Sequence, residues 1–292
     1  MGKLMVKQFL IDLTPFNFLV STDSPLVIQN LTKMYGDVIL PAESKTADYH
    51  VQILKSAGLR AFIKRQARFL SDQQEPFKPL SHKQAFAFLE WGMNYSVAAN
   101  EMQHIIVHSA VLAKNGKAIL FPAPPGSGKS TLTSFLAFNG WQLLSDEMSL
   151  IVPNTSQVMP FVRPICLKNA SIKLAQSWFP DADFSTIAPD THKGDVIHLS
   201  PPAESWRLRN KAVEIVGVVF PNYNKNKELE IYQLNKTQAF TQLAENSFNY
   251  GVVGDIGFQT LTAIIDKVDS FDIHYNDLKD VKAFLEEDII KE

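Results

Sequence analysis

The sequence contains a single cysteine, Cys166, among its 292 residues. No disulfide can form within the chain, which is typical of proteins in a reducing compartment. Acidic and basic residues nearly balance, with a formal net charge of -2, so no field of one sign would attract nucleic acid or an anionic membrane. No apolar run approaches the roughly 20 residues that cross a bilayer, and residues 1–13 lack the continuous apolar stretch of a signal peptide. We therefore expect a cytoplasmic protein without nucleic-acid or membrane partners.

Several familiar motifs are also missing. No cysteine and histidine cluster has the spacing of a zinc site, and no internal repeat or low-complexity segment is present. The run Asn224-Lys225-Asn226-Lys227 lacks the aspartate of the guanine-selective Asn-Lys-x-Asp motif, which argues against a GTPase-type switch. What remains is an ordinary globular composition, 46% apolar and 20% charged, in a length that suits one large domain or two modest ones.

The first part of the chain is rich in predicted strands. Alternating apolar residues and turn-forming neighbours predict strands at 8–13, 16–20 and 49–54, a helix at 26–34 and a hairpin within 60–70. The polar stretch 73–81 contains two prolines and is the best candidate for a linker. We therefore predict a strand-rich N-terminal region, 1–81, as a candidate for recruiting an acceptor molecule, and a second domain, 82–292.

The second domain is predicted to open with a helix near 82–100, followed by two apolar runs, 104–112 and 117–121. Asn115-Gly116 between these runs is a strong hairpin signal because both residues tolerate positive φ. We therefore predict an antiparallel hairpin at this point. Further periodic segments predict helices at 130–139, 237–244, 259–268 and 278–290, and strands at 143–146, 213–220, 228–234 and 271–275.

A glycine-rich loop follows the hairpin. It fits the Walker A pattern, with alanine in the first glycine position, over the run Ala123-Pro124-Pro125-Gly126-Ser127-Gly128-Lys129-Ser130-Thr131. Glycines let backbone N–H groups turn toward phosphate oxygens, and the helix that begins here adds its dipole. The two prolines have no N–H, so the phosphate cradle must start at Gly126.

This pattern predicts ATP and Mg²⁺ as ligands. Lys129 is expected to face solvent until it contacts the β- and γ-phosphates, and the Ser130 hydroxyl is expected to bind Mg²⁺. The alternative is a glycine–serine turn that caps a helix and binds nothing. The residues predicted to bind the nucleotide are Gly126, Ser127, Gly128, Lys129, Ser130 and Thr131.

Two adjacent acids, Asp146 and Glu147, close the strand predicted after this helix. A carboxylate at the end of an apolar strand is the Walker B arrangement, which holds Mg²⁺ directly or through water. Two acids allow one to bind the metal while the other takes a proton from an attacking hydroxyl. The alternative is a solvent-exposed strand end without a role in binding.

Histidines occur before and after this region. His108 lies in the strand ahead of the loop, where a buried core residue is the alternative to a role in the site. His104 shares its face by alternation and is expected to be structural. His192, Lys193 and Gly194 lie in a polar segment that is expected to be a mobile loop.

Taken in order, these motifs resemble the catalytic domain of HPr serine kinase/phosphorylase, and most closely the HPr-kinase-related proteins. The resemblance is most detailed over residues 100–225. It is carried by His108-Ser109-Ala110-Val111-Leu112, Pro124-Pro125-Gly126-Ser127-Gly128-Lys129-Ser130-Thr131-Leu132, Leu143-Leu144-Ser145-Asp146-Glu147, Arg163-Pro164-Ile165-Cys166-Leu167-Lys168 and Lys193-Gly194. It implies an α/β fold with a phosphoenolpyruvate-carboxykinase-like P-loop kinase core and a mixed sheet. The predicted antiparallel hairpin agrees better with that core than with an all-parallel sheet.

The resemblance also implies roles for individual residues. His108 and Asp146 would lie at the reaction centre, with Asp146 as general base, Lys129 on the transferred phosphate and Glu147 as a metal ligand. The sequence departs from true HPr kinases after the acid pair. Their glutamate-containing signature is absent, and the arginine-rich loop that supports phosphorolysis is absent in recognisable form. The identity of the acceptor and the reverse reaction therefore stay open.

The predicted function is Mg²⁺-dependent transfer of the γ-phosphate of ATP to a hydroxyl, with serine or threonine of a protein or peptide as the first acceptor class. A small-molecule kinase that acts on serine or a sugar is the second hypothesis. An NTP-binding regulatory module without kinase activity is the third. The sequence leaves the acceptor, the nucleotide selectivity and assembly into a homo-oligomer open.

Overall fold

The computed structural model describes residues 5–56 and 64–291 and has an α/β fold with mixed sheets, as predicted. The strands of the described residues are, in chain order, β1 (Lys7–Leu13), β2 (Phe16–Thr22), β3 (Ile39–Leu40), β4 (Tyr49–Lys55), β5 (Gln66–Ser71), β6 (Leu80–Ser81), β7 (Ile105–Val107), β8 (Ser109–Lys114), β9 (Lys117–Pro122), β10 (Gln142–Ser145), β11 (Ser149–Ile151), β12 (Gln157–Met159), β13 (Ile165–Lys168), β14 (Ala188–Thr191), β15 (Gly194–Leu199), β16 (Val213–Tyr223), β17 (Glu230–Gln233) and β18 (Asp269–Tyr275). The helices are α1 (Pro25–Tyr35), α2 (Ala85–Asn100), α3 (Lys129–Ala137), α4 (Ala170–Trp178), α5 (Ala203–Arg207), α6 (Lys236–Glu245), α7 (Tyr250–Val253), α8 (Asp255–Lys267) and α9 (Leu278–Phe284), which continues as a π-helical turn over Leu285–Ile290. Across this part of the chain, no helix is long and apolar enough to cross a bilayer.

The chain folds into two compact units. The first comprises residues 1–100 and 163–200, and the second comprises residues 101–162 and 201–292. The predicted division after residue 81 does not coincide with this one, because α2 packs against β4 and β5 of the first unit. The stretch 73–81, predicted as a linker, also lies within the first unit and ends in β6, which pairs with β5.

A six-stranded sheet forms the first unit, in the order β3-β1-β2-β4-β5-β6. β2 and β4 pair in parallel, and the other pairs are antiparallel. Residues 60–63 of the predicted hairpin lie outside the described residues, whereas β5 accounts for its second half. Residues 163–200 add a three-stranded antiparallel sheet, β13-β15-β14, whose Val196 shares a core with Ala87 and Trp91 of α2.

A buried ion pair holds the point where the chain returns to the first unit. Arg163 donates hydrogen bonds to the Glu90 carboxylate, to the Glu90 carbonyl oxygen at 2.7 Å and to the Asn94 side chain. The second carboxylate oxygen of Glu90 accepts the Tyr35 hydroxyl at 2.7 Å. Burial, reinforced by the charge of Glu90, raises the pKa of Tyr35 well above its usual value. Burial is the largest single influence on the pKa of Arg163 and acts to lower it, but the charge of Glu90 and the hydrogen bonds with Glu90 and Tyr35 together outweigh burial and raise the pKa. The guanidinium therefore stays charged and the phenol stays neutral.

Arg163→Met is expected to lower the free energy of unfolding by about 3–5 kcal/mol, because it leaves the Glu90 carboxylate buried without its cation. Urea unfolding followed by circular dichroism measures this change. Adding Glu90→Gln should restore more than half of the loss, since glutamine keeps an oxygen for the Tyr35 hydroxyl and carries no charge. A loss below about 1 kcal/mol in the single variant would show that the first unit does not depend on this pair.

The second unit is built on one mixed sheet. Its strand order is β10-β8-β9-β16-β12-β11-β7, with β18 beside β16 and β17 beside β18. Asn115 and Gly116 have φ of 52° and 74°, and β8 and β9 pair antiparallel on either side of them. The predicted hairpin is therefore confirmed. β16 pairs in parallel with both β9 and β18, so the carboxyl ends of these three strands lie at the same edge of the sheet.

Helices cover both faces of this sheet. Val218 of β16 shares a core with Leu243 of α6 and Ile264 of α8. Its neighbour Gly217 faces the other way, because successive residues of a strand alternate. There a Cβ at Gly217 would stand 2.8 Å from the Ile289 side chain of the C-terminal turn, and α3 packs against α9. The sheet is thus the middle layer, and the loop that leads to α3 emerges where the parallel strands end.

Candidate functional site

The glycine-rich loop forms the turn from β9 to α3. Gly126 and Gly128 have φ of 92° and 87°, a left-handed conformation that residues with a Cβ disfavour. The Ser127 N–H donates to the Pro124 carbonyl oxygen at 3.3 Å, which closes a tight turn before the helix. The N–H groups of the first turn of α3 therefore follow directly after a backbone that only glycine adopts easily, which is the arrangement that binds phosphate in many proteins.

The loop is attached to the end of β16. The Tyr223 N–H donates to the Ser127 carbonyl oxygen at 2.9 Å. A Cβ built at Gly128 would stand 2.8 Å from the Tyr223 Cβ and 3.0 Å from the Tyr275 hydroxyl oxygen. Glycine is therefore required at residue 128 by its backbone conformation and also by the space that the two tyrosines occupy.

Lys129 is buried and directed at His108. The side chain of this residue was expected to face solvent, and that expectation is wrong, since Lys129 is 8% exposed. Its Nζ lies 3.2 Å from Nε2 of His108. The tertiary structure explains this burial. α3 packs against β8, and His108 immediately precedes β8, so the Lys129 side chain contacts the imidazole of His108 and not water.

The partners of His108 define its protonation state. Its Nδ1 lies 3.1 Å from the Glu147 carbonyl oxygen, which can only accept a hydrogen bond, so Nδ1 carries the proton. The Lys129 ammonium can only donate, so Nε2 presents a lone pair to it. His108 is therefore a neutral imidazole with its basic nitrogen beside the glycine-rich loop. The ring of Phe248 contacts it edge-on, with centroids 5.7 Å apart.

Ser130 and Asp146 form a second pair at the start of α3. The Ser130 hydroxyl lies 3.2 Å from Oδ2 of Asp146, and Asp146 is 4% exposed. Hydroxyl and carboxylate oxygens are ligands that Mg²⁺ accepts, so this pair fits the predicted metal. Among residues 5–56 and 64–291, no group of three or more His, Cys, Asp or Glu side chains could hold a metal ion. Mg²⁺ bound to Ser130 and Asp146 would therefore take further ligands from the phosphates of the nucleotide and from water.

The other predicted residues lie apart from these pairs. Thr131 is in the first turn of α3, where its carbonyl oxygen accepts from the Ser134 hydroxyl. His104 contacts Glu101 at 3.2 Å, in agreement with a structural role. His192 and Lys193 belong to the first unit, where they form the tight turn between β14 and β15 and contact the Trp91 ring. The segment predicted as a mobile loop is thus a hairpin turn.

A cavity of about 580 Å³ opens beside the glycine-rich loop. It lies between the start of the loop, the end of β16 and the last turn of α6. Its lining side chains are mostly amides, carboxylates and small groups: Pro122, Ala123, Pro124, Gly126, Ser127, Phe220, Pro221, Asn222, Gln242, Glu245, Asn246 and Asp272. The main-chain N–H of His108 donates to the Asn246 carbonyl oxygen at 2.7 Å, so the last turn of α6 also adjoins the histidine.

Sequence reasoning missed four residues of this site: Tyr223, Asn246, Phe248 and Tyr275. None belongs to a motif. Tyr223 and Tyr275 reach the loop through the strand order of the sheet, whereas Asn246 and Phe248 lie after α6 in a segment that bonds to the backbone of His108 and Ile106. The one available signal was that Tyr275 ends the predicted strand 271–275 and Tyr223 follows the predicted strand 213–220 by three residues, because ligands of open α/β sheets bind at the carboxyl ends of strands.

The site as a whole is a helix N-terminus preceded by a glycine-rich loop, with a lysine, a serine, a carboxylate and a neutral histidine around it. Comparison of the chain with protein-family models and with curated proteins found no match. The relation to HPr-kinase-related proteins therefore remains a resemblance of motifs.

Gly128→Ala is expected to lower the free energy of unfolding by about 3 kcal/mol, through left-handed strain and the clash with the Tyr223 Cβ. Gly140→Ala is the matched control: Gly140 has φ of 91°, yet a Cβ there would have no neighbour within 4 Å. The control should lose only about 1 kcal/mol. Urea unfolding gives both values, and equal losses would mean that Tyr223 does not restrict residue 128.

Proposed function

We propose that the second unit is a Mg²⁺-dependent kinase that transfers the γ-phosphate of ATP to a hydroxyl, as the HPr serine kinases that it resembles do. The observation that carries the proposal is the pair of contacts at the start of α3, Lys129 with His108 at 3.2 Å and Ser130 with Asp146 at 3.2 Å. The Walker A motif by itself includes only Lys129 and Ser130 of these four residues. A basic nitrogen and a buried carboxylate beside them add the two groups that phosphoryl transfer to a hydroxyl requires.

The contacts favour a particular division of labour. The sequence suggested Asp146 as base and Glu147 as metal ligand. Asp146 is bonded to the Ser130 hydroxyl, however, so we assign Asp146 to the metal together with Ser130. Glu147 contributes its carbonyl oxygen, which orients His108. We assign the base to His108, whose Nε2 lone pair is directed toward the loop.

The proposed reaction conserves atoms and charge. The acceptor oxygen attacks the γ-phosphorus, the bond from phosphorus to the bridging oxygen breaks, and ADP leaves with that electron pair. The acceptor proton passes to His108 Nε2. A triphosphate in the loop offers the Lys129 ammonium an anionic partner, which would release Nε2 for this step. Bound Mg²⁺ supplies charge neutralisation for the phosphate oxygens.

Two acceptor classes fit the proposal. Serine or threonine of a protein or peptide follows from the resemblance, and we place it first. A small hydroxylated molecule is favoured by the 580 Å³ cavity with its amide and carboxylate lining, which is within the usual size of small-ligand pockets. Both classes require the same proton transfer, so they share the proposed chemistry and differ only in which molecule receives the γ-phosphate.

The test is incubation of the purified chain with γ-labelled ATP, Mg²⁺ and an extract of its own cell. We expect label on a polypeptide if the acceptor is a protein, and label in a small organic phosphate if it is not. Lys129→Ala should remove transfer to either, because the γ-phosphate loses its cationic partner. Release of inorganic phosphate alone by the wild-type chain would contradict kinase activity and favour an NTP-binding regulatory module.

Replacement of the acids and of the histidine tests the division of labour. His108→Ala should lower kcat by about 10²–10⁴-fold and remove the acidic limb of the pH–rate profile, since the base must be neutral. Asp146→Asn should instead raise the Mg²⁺ concentration for half-maximal rate, and His104→Ala is the control without effect. If Glu147→Gln raises the Mg²⁺ requirement while Asp146→Asn lowers only kcat, the division suggested by the sequence is the right one.

A further inference from the structure

A nucleoside triphosphate bound by the glycine-rich loop would have a defined direction along the edge of the sheet. Lys129, His108 and Asp146 mark the end where the γ-phosphate would lie, and they lie toward β8 and β10. The strand order β10-β8-β9-β16 puts these strands on one side of β9 and β16 on the other. The nucleoside end would therefore extend over the carboxyl ends of β16 and β18, where open α/β sheets bind ligands.

The aromatic ring of Tyr223 lies at the carboxyl end of β16. Tyr223 is the last residue of β16, and its side chain is 51% exposed. The backbone and Cβ of Tyr223 are fixed, because its N–H donates to the Ser127 carbonyl oxygen and its Cβ packs against Gly128. The ring packs edge-on against Tyr275, with centroids 5.9 Å apart and planes at 69°. An aromatic ring that is fixed in position and half-exposed beside an anion-binding loop can stack against a planar ligand.

Tyr275 is an independent observation that supports a ligand at this position. It is 1% exposed, and its hydroxyl oxygen has no hydrogen-bond partner among the described residues. That oxygen would stand 3.0 Å from a Cβ at Gly128, so it is located at the loop. Burial, reinforced by Tyr223, raises its pKa, so the phenol is a neutral donor. A buried donor without an acceptor is unfavourable by about 1–3 kcal/mol, and a ligand bound against the loop would offer acceptors.

We infer that Tyr223 is the nucleobase platform of the proposed nucleotide site: a purine base stacks on its exposed face while the phosphates occupy the loop. The inference rests on the proposed function. The turn after β16 borders the platform, and it is held by the Asn224 N–H on the Tyr275 carbonyl oxygen at 2.8 Å and by the Asn226 N–H on Asn224 Oδ1 at 3.1 Å. The side chains of Lys225 and Asn226 are exposed in that turn.

The experiment compares two ligands that differ only in the nucleoside. Titration calorimetry gives the Kd of Mg-ATP and of Mg-tripolyphosphate for the wild-type chain and for Tyr223→Ala. Alanine keeps the Cβ against Gly128 and the N–H on Ser127, so the loop should be unchanged. We expect about tenfold weaker binding of ATP, as for loss of one stacked base, and unchanged binding of tripolyphosphate. Tyr223→Trp should bind ATP at least as tightly as the wild type.

Tyr232→Ala is the matched control, because Tyr232 is also a half-exposed tyrosine of this sheet, at 50%, but it lies on β17 and pairs with Asp272. It should leave both Kd values unchanged. If Tyr223→Ala is poorly folded, Tyr223→Leu replaces it, since leucine retains apolar bulk without a flat ring. Equal ATP affinity in the wild type and the variant overturns the platform, and so does parallel weakening of both ligands. Failure of the wild type to bind either ligand overturns the nucleotide site itself and, with it, the platform.

Discussion

The chain of contacts from Lys129 through His108 to the Glu147 carbonyl oxygen is the feature on which the proposed chemistry of this site depends. Each end can play only one part, since an ammonium donates and a carbonyl accepts. The imidazole between them is thereby held neutral, with one defined tautomer and one defined orientation. A glycine-rich loop with a lysine can bind anions in many contexts. The neutral histidine at 3.2 Å from that lysine is what the proposed proton transfer from an acceptor hydroxyl requires beyond nucleotide binding.

The mixed sheet places these groups. β8 and β10 carry His108 and Asp146 to one side of β9, and the parallel strands β16 and β18 bring Tyr223 and Tyr275 to the other. The loop between β9 and α3 lies at the junction of the two sets. In the proposed function, the reacting phosphate lies on one side of this edge of the sheet and the nucleoside on the other. At Gly128 a Cβ would clash with Tyr223 and Tyr275 of the parallel strands, so the loop packs tightly against these strands there.

The residues of the resemblance do not all lie in the same unit. Those around the glycine-rich loop and the acid pair belong to the second unit, whereas Arg163 and Lys193 belong to the first. Arg163 forms a buried pair with Glu90, which accounts for an arginine at this position by packing and charge within the first unit. A segment that resembles a family motif can therefore contribute to the stability of one unit and need not belong to the site of another.

The sequence by itself determined the local features: the hairpin at Asn115-Gly116, the loop at Gly126 and Gly128, and the α/β alternation around them. Turn chemistry, glycine spacing and apolar periodicity act over a few residues, so they can be recognised without a fold. Only the tertiary structure decided that Lys129 is buried against His108, that Tyr223 restricts residue 128 and that residues 163–200 return to the first unit. These depend on strand order and on contacts between distant segments, and no local pattern encodes which strand will lie beside which.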